Sequence, residues 1–253
     1  MHEIYRACNE NRPPFSILAQ GTNKTFSKGT IGMRKTLVLI SGKLRSGKDT
    51  FADYLEEAAK EAQVSTKRGL FARALKDNCR KDFAPLCRFL KAEYLRLAEH
   101  GIPHEEIAWM DVRDDHFYDS KTDMTRFLLQ AYGTEIFRNR VDENYWVNQL
   151  LQEFSHADAE VFIVTDTRFP NEIVVPTEWA EGRSMLLSTV RIERESIART
   201  GTLTHAHLSE TALDEFPFWD YVYHNNGTKE DLREAASKFL KGLVANSSKR
   251  IEV

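Results

Sequence analysis

Thr36-Leu37-Val38-Leu39-Ile40-Ser41-Gly42-Lys43-Leu44-Arg45-Ser46-Gly47-Lys48-Asp49-Thr50 is the stretch on which the reading of this 253-residue chain turns. Residues 36–40 are a continuous apolar run, the pattern of a strand buried on both faces of a parallel sheet. Residues 41–48 read as a loop. From 50 to 63, Phe51, Tyr54, Leu55, Ala58, Ala59 and Ala62 recur at helical spacing, with Glu56, Glu57 and Lys60 turned outward. Strand, glycine-bearing loop and amphipathic helix together make the first βα unit of a nucleotide-binding sheet. In such a loop Gly42 and Gly47 let backbone N–H groups turn inward around phosphates. The helix N-terminus adds partial positive charge, and Lys48 bridges the β- and γ-phosphates. Asp49 departs from the usual Ser or Thr: a carboxylate there can hold Mg²⁺ directly or through water, and Thr50 can still reach the α-phosphate. Lys43 and Ser46 complete the expected ATP-binding loop.

Working outward, further strands are expected at 64–71, 161–164, 185–192 and 221–223, with helical stretches between most of them. That alternation predicts an α/β fold of the P-loop three-layer kind, with a mostly parallel central sheet. Residues from about 76 to 156 read as mostly helical, including 124–138 and 143–154. They are expected to form a helical, acceptor-binding insertion within a domain spanning 33–246. Residues 1–32 are non-periodic and broken by Pro13-Pro14, Gly21, Gly29 and Gly32, so a loose extension is expected there. Met33, directly before the first strand, is the expected start of the functional chain, and 247–253 reads as a tail.

Composition narrows the class. A formal charge of -3 gives no global basic field for gripping nucleic acid, so a polyanion site has to come from clustered Arg and Lys. Cys8, Cys79 and Cys87 form an odd, unpatterned set, which points to the cytoplasm. No apolar run is long enough to span a bilayer, and no membrane partner is expected.

Beyond the loop, the run 161–164 leads into Thr165-Asp166, which sets a carboxylate at a strand end near where Mg²⁺ would sit. Arg168, two residues on, adds a cation for a phosphate. Phosphoryl transfer needs cations around the transferred group more than a nucleophilic side chain, because the transition state spreads charge over phosphate oxygens. Arg191, Arg194 and Arg199, followed by Gly201, Thr202 and Thr204, are candidates for a closing lid. Arg126, Arg138 and Arg140, beside Gly133-Thr134-Glu135, are candidates on the acceptor side. Asn225-Asn226-Gly227-Thr228 forms a turn whose backbone can contact an adenine ring. His205 and His207 lack acidic partners at metal spacing and read as loop residues.

Several separated motifs, in order, resemble the deoxynucleoside monophosphate kinases typical of tailed bacteriophages. They are the loop 42–50, Phe71-Ala72-Arg73-Ala74-Leu75-Lys76, Leu129-Gln130-Ala131-Tyr132-Gly133-Thr134-Glu135, and Tyr145-Trp146-Val147. Thr165-Asp166-Thr167-Arg168-Phe169-Pro170-Asn171-Glu172, His207-Leu208-Ser209-Glu210, Leu213-Asp214 and Asn225-Asn226-Gly227 follow. The Gly-Lys-Asp form of the loop belongs to that family's pattern. The resemblance implies that Lys48 and Arg45 hold ATP phosphates, Asp166 with Asp49 assists Mg²⁺, and Arg194 acts from the lid. It implies an acceptor side made from Arg73, Lys76, Gly133, Thr134, Glu135, Arg138, Arg168 and Glu210, and an ATP side reaching Asn225 and Gly227. ATP and a nucleoside monophosphate would be the partners, a homodimer stays open, and a phage-encoded enzyme would work in the host cytoplasm. The animal-type phosphomevalonate kinase looks similar at the loop, at the Asp-Thr-Arg and at the Ser-Glu-x-x-Leu-Asp segment. A non-catalytic ATP-gated binding module is the rival of another class.

Overall fold

The computed structural model describes residues 33–98, 113–118, 120–195 and 211–247. The expected extension at 1–32, most of the tail, and Arg199, Gly201, Thr202, Thr204, His205, His207 and Glu210 lie outside them.

Five strands, β1 (Thr36–Ser41), β2 (Thr66–Gly69), β3 (Val161–Val164), β4 (Leu186–Glu193) and β5 (Tyr221–His224), form one sheet in the order β2-β3-β1-β4-β5. Every pairing is parallel. β1 lies in the middle, with Thr36 opposite Val161 of β3 on one side and Leu186 of β4 on the other. All six of its residues are buried, which is why its sequence runs apolar without alternation.

Helices α1 (Lys48–Glu61) and α6 (Lys229–Ser247) cover one face. Phe51, Leu55, Phe239 and Leu240 pack there with Val38, Ile40, Ile163 and Ile192 in one core. Full burial of each large apolar side chain contributes about 1.5–3 kcal/mol. On the alternate positions Leu37, Leu39 and Phe162 are equally buried, and α5 (Asn171–Glu181) contributes Ile173 and Ala180 to the interior. Helix, sheet and helix make the three-layer architecture that the strand–helix alternation predicts. α1 starts two residues before the expected 50, because Gly47 takes the left-handed conformation (φ 96°) and the first turn follows at once. β2 is shorter than 64–71: Gln63 turns the chain with φ 57°, and buried Phe71 already opens the next helix.

Residues 71–150 form a separate compact unit. It contains α2 (Phe71–Ala98), a 3₁₀ turn (Asp114–Phe117), α3 (Asp123–Gln130), a π-helical segment (Ala131–Arg138) and the start of α4 (Tyr145–Ser155). Its core gathers Cys79, Ala84, Cys87, Phe117, Tyr132 and Trp146. The single helix expected at 124–138 thus changes type at Ala131. The wider turn brings residues five apart together: the rings of Tyr132 and Phe137 lie 4.8 Å apart, and both pack on Trp146.

Candidate active site

The loop after β1 is held in a demanding conformation. Arg45 has φ 65° and Gly47 φ 96°, the left-handed region that a side chain makes costly. Ser46 N–H donates to the Lys43 carbonyl (3.1 Å), and Phe51 N–H donates to the Gly47 carbonyl (2.8 Å), closing the turn into α1. A Cβ on Gly42 would stand 2.6 Å from the Ile192 carbonyl oxygen, so only glycine lets the loop approach β4 this closely. A Cβ on Gly47 would collide with the Asn225 side-chain amide. That amide belongs to a buried Asn225, which donates to the Ser46 carbonyl (2.8 Å) while its backbone N–H donates to Glu193 (2.7 Å).

Lys48 opens α1 with its side chain only 8% exposed, its Nζ 3.0 Å from Asp49 Oδ2. Asp49 itself is exposed, and its other oxygen lies 3.6 Å from Arg68 of β2. Arg68 also meets Asp53 and Glu56. Those three acids recur at i, i+4 and i+7 along one face of α1, which explains why a single guanidinium from the neighbouring strand can serve them all. The Ser46 hydroxyl is buried and has no hydrogen-bond partner among the described residues.

On the other side of the loop stands Arg191, a buried cation inside β4. Its Nη1 donates to Ser41 Oγ (3.1 Å) and its Nη2 to Asp214 Oδ1 (3.0 Å), and its guanidinium carbon lies 5.6 Å from the Trp219 ring centroid. The second Asp214 oxygen accepts from Lys43 Nζ at 2.8 Å. Lys43, Ser46, the end of β4 through Glu195, Asp214 and His224 line a cavity of about 300 Å³, onto which exposed Arg194 also opens. A smaller cleft joins Gly42 and Lys43 to Thr167 and Arg168 beyond β3. Glu172, buried, accepts from the backbone N–H groups of Arg168 (2.7 Å) and Phe169 (3.1 Å) and so fixes that turn. Asp166 is half-buried at the same strand end. Gly42, Lys43, Ser46, Lys48, Arg168, Arg194 and Asn225 thus gather at the C-terminal edge of the sheet, where α/β folds bind ligands. Thr50 lies in the first turn of α1, and Gly227 lies in the turn before α6, where Thr228 and Asp231 cap the helix.

A family model described as deoxynucleotide monophosphate kinase matches residues 99–236, more than half of the chain. The chain belongs to the deoxynucleotide monophosphate kinase family. The "Deoxynucleoside-5'-monophosphate kinase" of Escherichia phage T5 is 33% identical over 108 residues, 42% of this chain and 40% of that protein. The "Deoxynucleotide monophosphate kinase" of Escherichia phage RB69 is 30% identical over 120 residues, 46% of this chain and 44% of that protein. The aligned stretch therefore spans less than half the length of either relative. The span matched to the deoxynucleotide monophosphate kinase family begins after the phosphate loop, so the loop is read from its own geometry.

The other candidate residues of this deoxynucleotide monophosphate kinase family member lie in unit 71–150. Arg73 is exposed and Lys76 half-buried on α2, and Gly133, Thr134, Glu135 and Arg138 lie on the π-helical segment. The Gly133 carbonyl accepts from Trp146 Nε1 at 3.1 Å, and Glu135 accepts from Asn139 at 3.3 Å. Asp114 accepts from both Arg80 and Arg88 (2.9 Å each), which holds its carboxyl below the ordinary range. Burial, with Asp82 nearby, pushes the Cys79 thiol up to about 12, and burial together with a hydrogen bond to Asp82 raises the Tyr132 phenol.

Two residues at the loop act differently from what the sequence implies. Asp214 carried no role beyond its place in a motif, and Asn225 was expected to act through its backbone. Arg191 within the strand Leu186–Glu193 signals that a carboxylate has to lie near, since a buried guanidinium demands one, but not which residue supplies it.

Among the described residues no helix is long and apolar enough to cross a membrane, and no three His, Cys, Asp or Glu side chains are grouped to hold a metal ion by themselves.

Proposed function

We propose that this chain transfers the γ-phosphoryl group of ATP to a deoxynucleoside monophosphate, giving a deoxynucleoside diphosphate and ADP. The observation that carries this reading is the buried Lys48 at the N-terminus of α1, at the end of a loop whose Gly42 and Gly47 allow close approach to β4 and Asn225, and whose Lys43 and Ser46 line a cavity of about 300 Å³ with Arg191 and Arg194. Family membership and the printed names of the two phage relatives support the acceptor class. ATP and the nucleotide are the proposed partners, and the host cytoplasm the proposed site of action.

The reaction needs no general base. An acceptor phosphate oxygen, already ionised at neutral pH, attacks the γ-phosphorus in line. The new O–P bond forms as the bond to the bridging oxygen breaks, and ADP leaves with the electron pair. Lys48, Arg45, Arg168 and Arg194 neutralise the charge that spreads over the phosphoryl oxygens. Arg73, Lys76, Gly133, Thr134, Glu135, Arg138 and Glu210 are assigned to the acceptor, and Asn225, Gly227 and Thr50 to ATP. The donor chemistry fits Mg²⁺: Asp49 and Asp166 offer hard oxygens, and the exposure of the Asp49 carboxylate leaves room for the waters this ion retains. Bound with ATP, Mg²⁺ would supply charge neutralisation at the phosphates.

The test is ADP release by the purified protein with ATP and Mg²⁺, against dAMP, dGMP, dCMP, dTMP, the ribonucleotides and phosphomevalonate, beside Lys48→Ala. Lysine-dependent turnover of one or more deoxynucleotides is the expected result. Turnover of phosphomevalonate alone would replace the acceptor, and ATP binding without any turnover would replace the enzyme by a nucleotide-gated module.

A further inference from the structure

We propose that Asp214 is the positioning residue of the phosphate loop, acting through Lys43 and Arg191 rather than by touching ATP; the inference rests on reading the loop as the ATP site.

The geometry is a closed tether. Asp214 Oδ2 holds Lys43 of the loop at 2.8 Å, and Asp214 Oδ1 holds Arg191 of β4 at 3.0 Å. Arg191 in turn donates to Ser41 Oγ. Ser41 and Lys43 flank Gly42, so both neighbours of the first loop glycine are tied to one guanidinium, one directly and one through Asp214. The far end of the loop has its own tie, from Asn225 to the Ser46 carbonyl. A loop that holds Arg45, a residue with a side chain, in the left-handed region stores strain, and such conformations persist only where the surroundings over-determine them. Anchoring at both ends does that, and it presents the loop amides to phosphates with little ordering left to do on binding.

Charge and position make opposite predictions. Asp214 lies against the cavity beside Lys43 and Ser46. As a bare negative charge it repels a polyanion, and its removal would tighten ATP binding. As an anchor it pre-organises the loop, and its removal weakens binding even though a repulsive charge is lost.

The experiment reads ATP binding by calorimetry, without an acceptor, for the full chain and for Asp214→Asn, Lys43→Met and the double variant. ATP and acceptor KM are measured in parallel. Asp214→Asn is expected to raise the ATP dissociation constant about tenfold, less than the loss of a fully buried charge pair would cause, because the Asp214 and Lys43 side chains are each about a third exposed. ATP KM should rise with it while acceptor KM stays unchanged. In the Lys43→Met background the same change should cost little, because the tether is already cut. Asp214→Glu, which keeps the carboxylate, should recover part of the affinity and guards against a variant that fails to fold. Unchanged or tighter binding in folded Asp214→Asn, or full additivity with Lys43→Met, overturns the inference. Normal tethering with no turnover of any deoxynucleotide overturns the proposed acceptor and leaves Asp214 in its role. Failure of the wild-type chain to bind ATP overturns both.

Discussion

The sheet-based unit and the unit of residues 71–150 handle buried polar groups differently. In the first, the hydroxyls of Ser46, Thr165, Thr167 and Ser188 are buried with no hydrogen-bond partner among the described residues, and none of the described side chains of 71–150 shares that condition. The first unit also buries Lys48 and Arg191, and it bends Arg45 into the left-handed region. In the second, phenols meet carboxylates, as Tyr118 meets Asp77 and Tyr132 meets Asp82, and the indole of Trp146 meets a carbonyl. Unsatisfied polar groups and backbone strain cost free energy, and folds keep them where chemistry uses them. The difference sets the sheet-based unit apart as the one that carries these costs, in keeping with the proposed phosphate site at its loop edge.

The comparison breaks first at Lys48. Lys48→Ala should lower kcat by on the order of 10³-fold, as removal of a preorganised charge at a developing anion does. A residual rate within a few-fold of wild type in the ADP-release assay would show that the strained edge is not the reacting centre. Gly42→Ala comes next. Its added methyl would meet the Ile192 carbonyl oxygen, a backbone atom, at 2.6 Å, so the loop or β4 has to move. A stability loss of about 1–3 kcal/mol in urea unfolding is expected, together with weakened ATP binding.

The aromatic unit gives the contrasting outcome. Trp146→Phe keeps most of the ring volume but removes the indole N–H that donates to the Gly133 carbonyl, leaving that carbonyl only its helical partner. Loss of one buried hydrogen bond costs about 0.5–1.5 kcal/mol, read as a lower midpoint in urea. ATP affinity measured without acceptor should stay at the wild-type value, because every loop tether described above lies outside 71–150. An equal loss of ATP affinity would erase the distinction between the two units.

These two regions were also unequally legible in the sequence. A parallel strand buried on both faces has to be apolar throughout, so Thr36–Ser41 and Val161–Val164 announce themselves, and a glycine loop between strand and helix fixes where the phosphates go. Gly42 is legible because the backbone tolerates no substitute there. The tether through Asp214 is not, since it joins positions 171 residues apart in sequence and only the sheet brings them together. The change from α- to π-helix at Ala131 is equally hidden. An α-period would set Tyr132 and Phe137 about 140° apart, and eight residues carry no pattern that announces the wider turn, whose two rings both pack on Trp146.

The smallest expected effect separates two carboxylates, one in each unit. Asp231 is held below the ordinary range by the backbone N–H of Thr228 and then by its hydroxyl, Asp114 by hydrogen bonds from Arg80 and Arg88. Both folded-state values are depressed, so each contribution to stability is present above the unfolded value near 3.8 and is lost as pH falls through the folded one. Salt distinguishes them. Asp114 depends on full charges at an exposed site, and the screening length falls from about 10 Å at 0.1 M salt to about 3 Å at 1 M. Asp231 depends on dipoles in direct contact, which salt hardly screens. In a carboxyl NMR titration repeated at both ionic strengths, Asp114 should climb toward its ordinary value while Asp231 stays low. Equal movement of the two would mean that Asp231 also answers to a distant charge. The cap at the start of α6 would then belong to the electrostatics of the phosphate edge rather than to the helix alone.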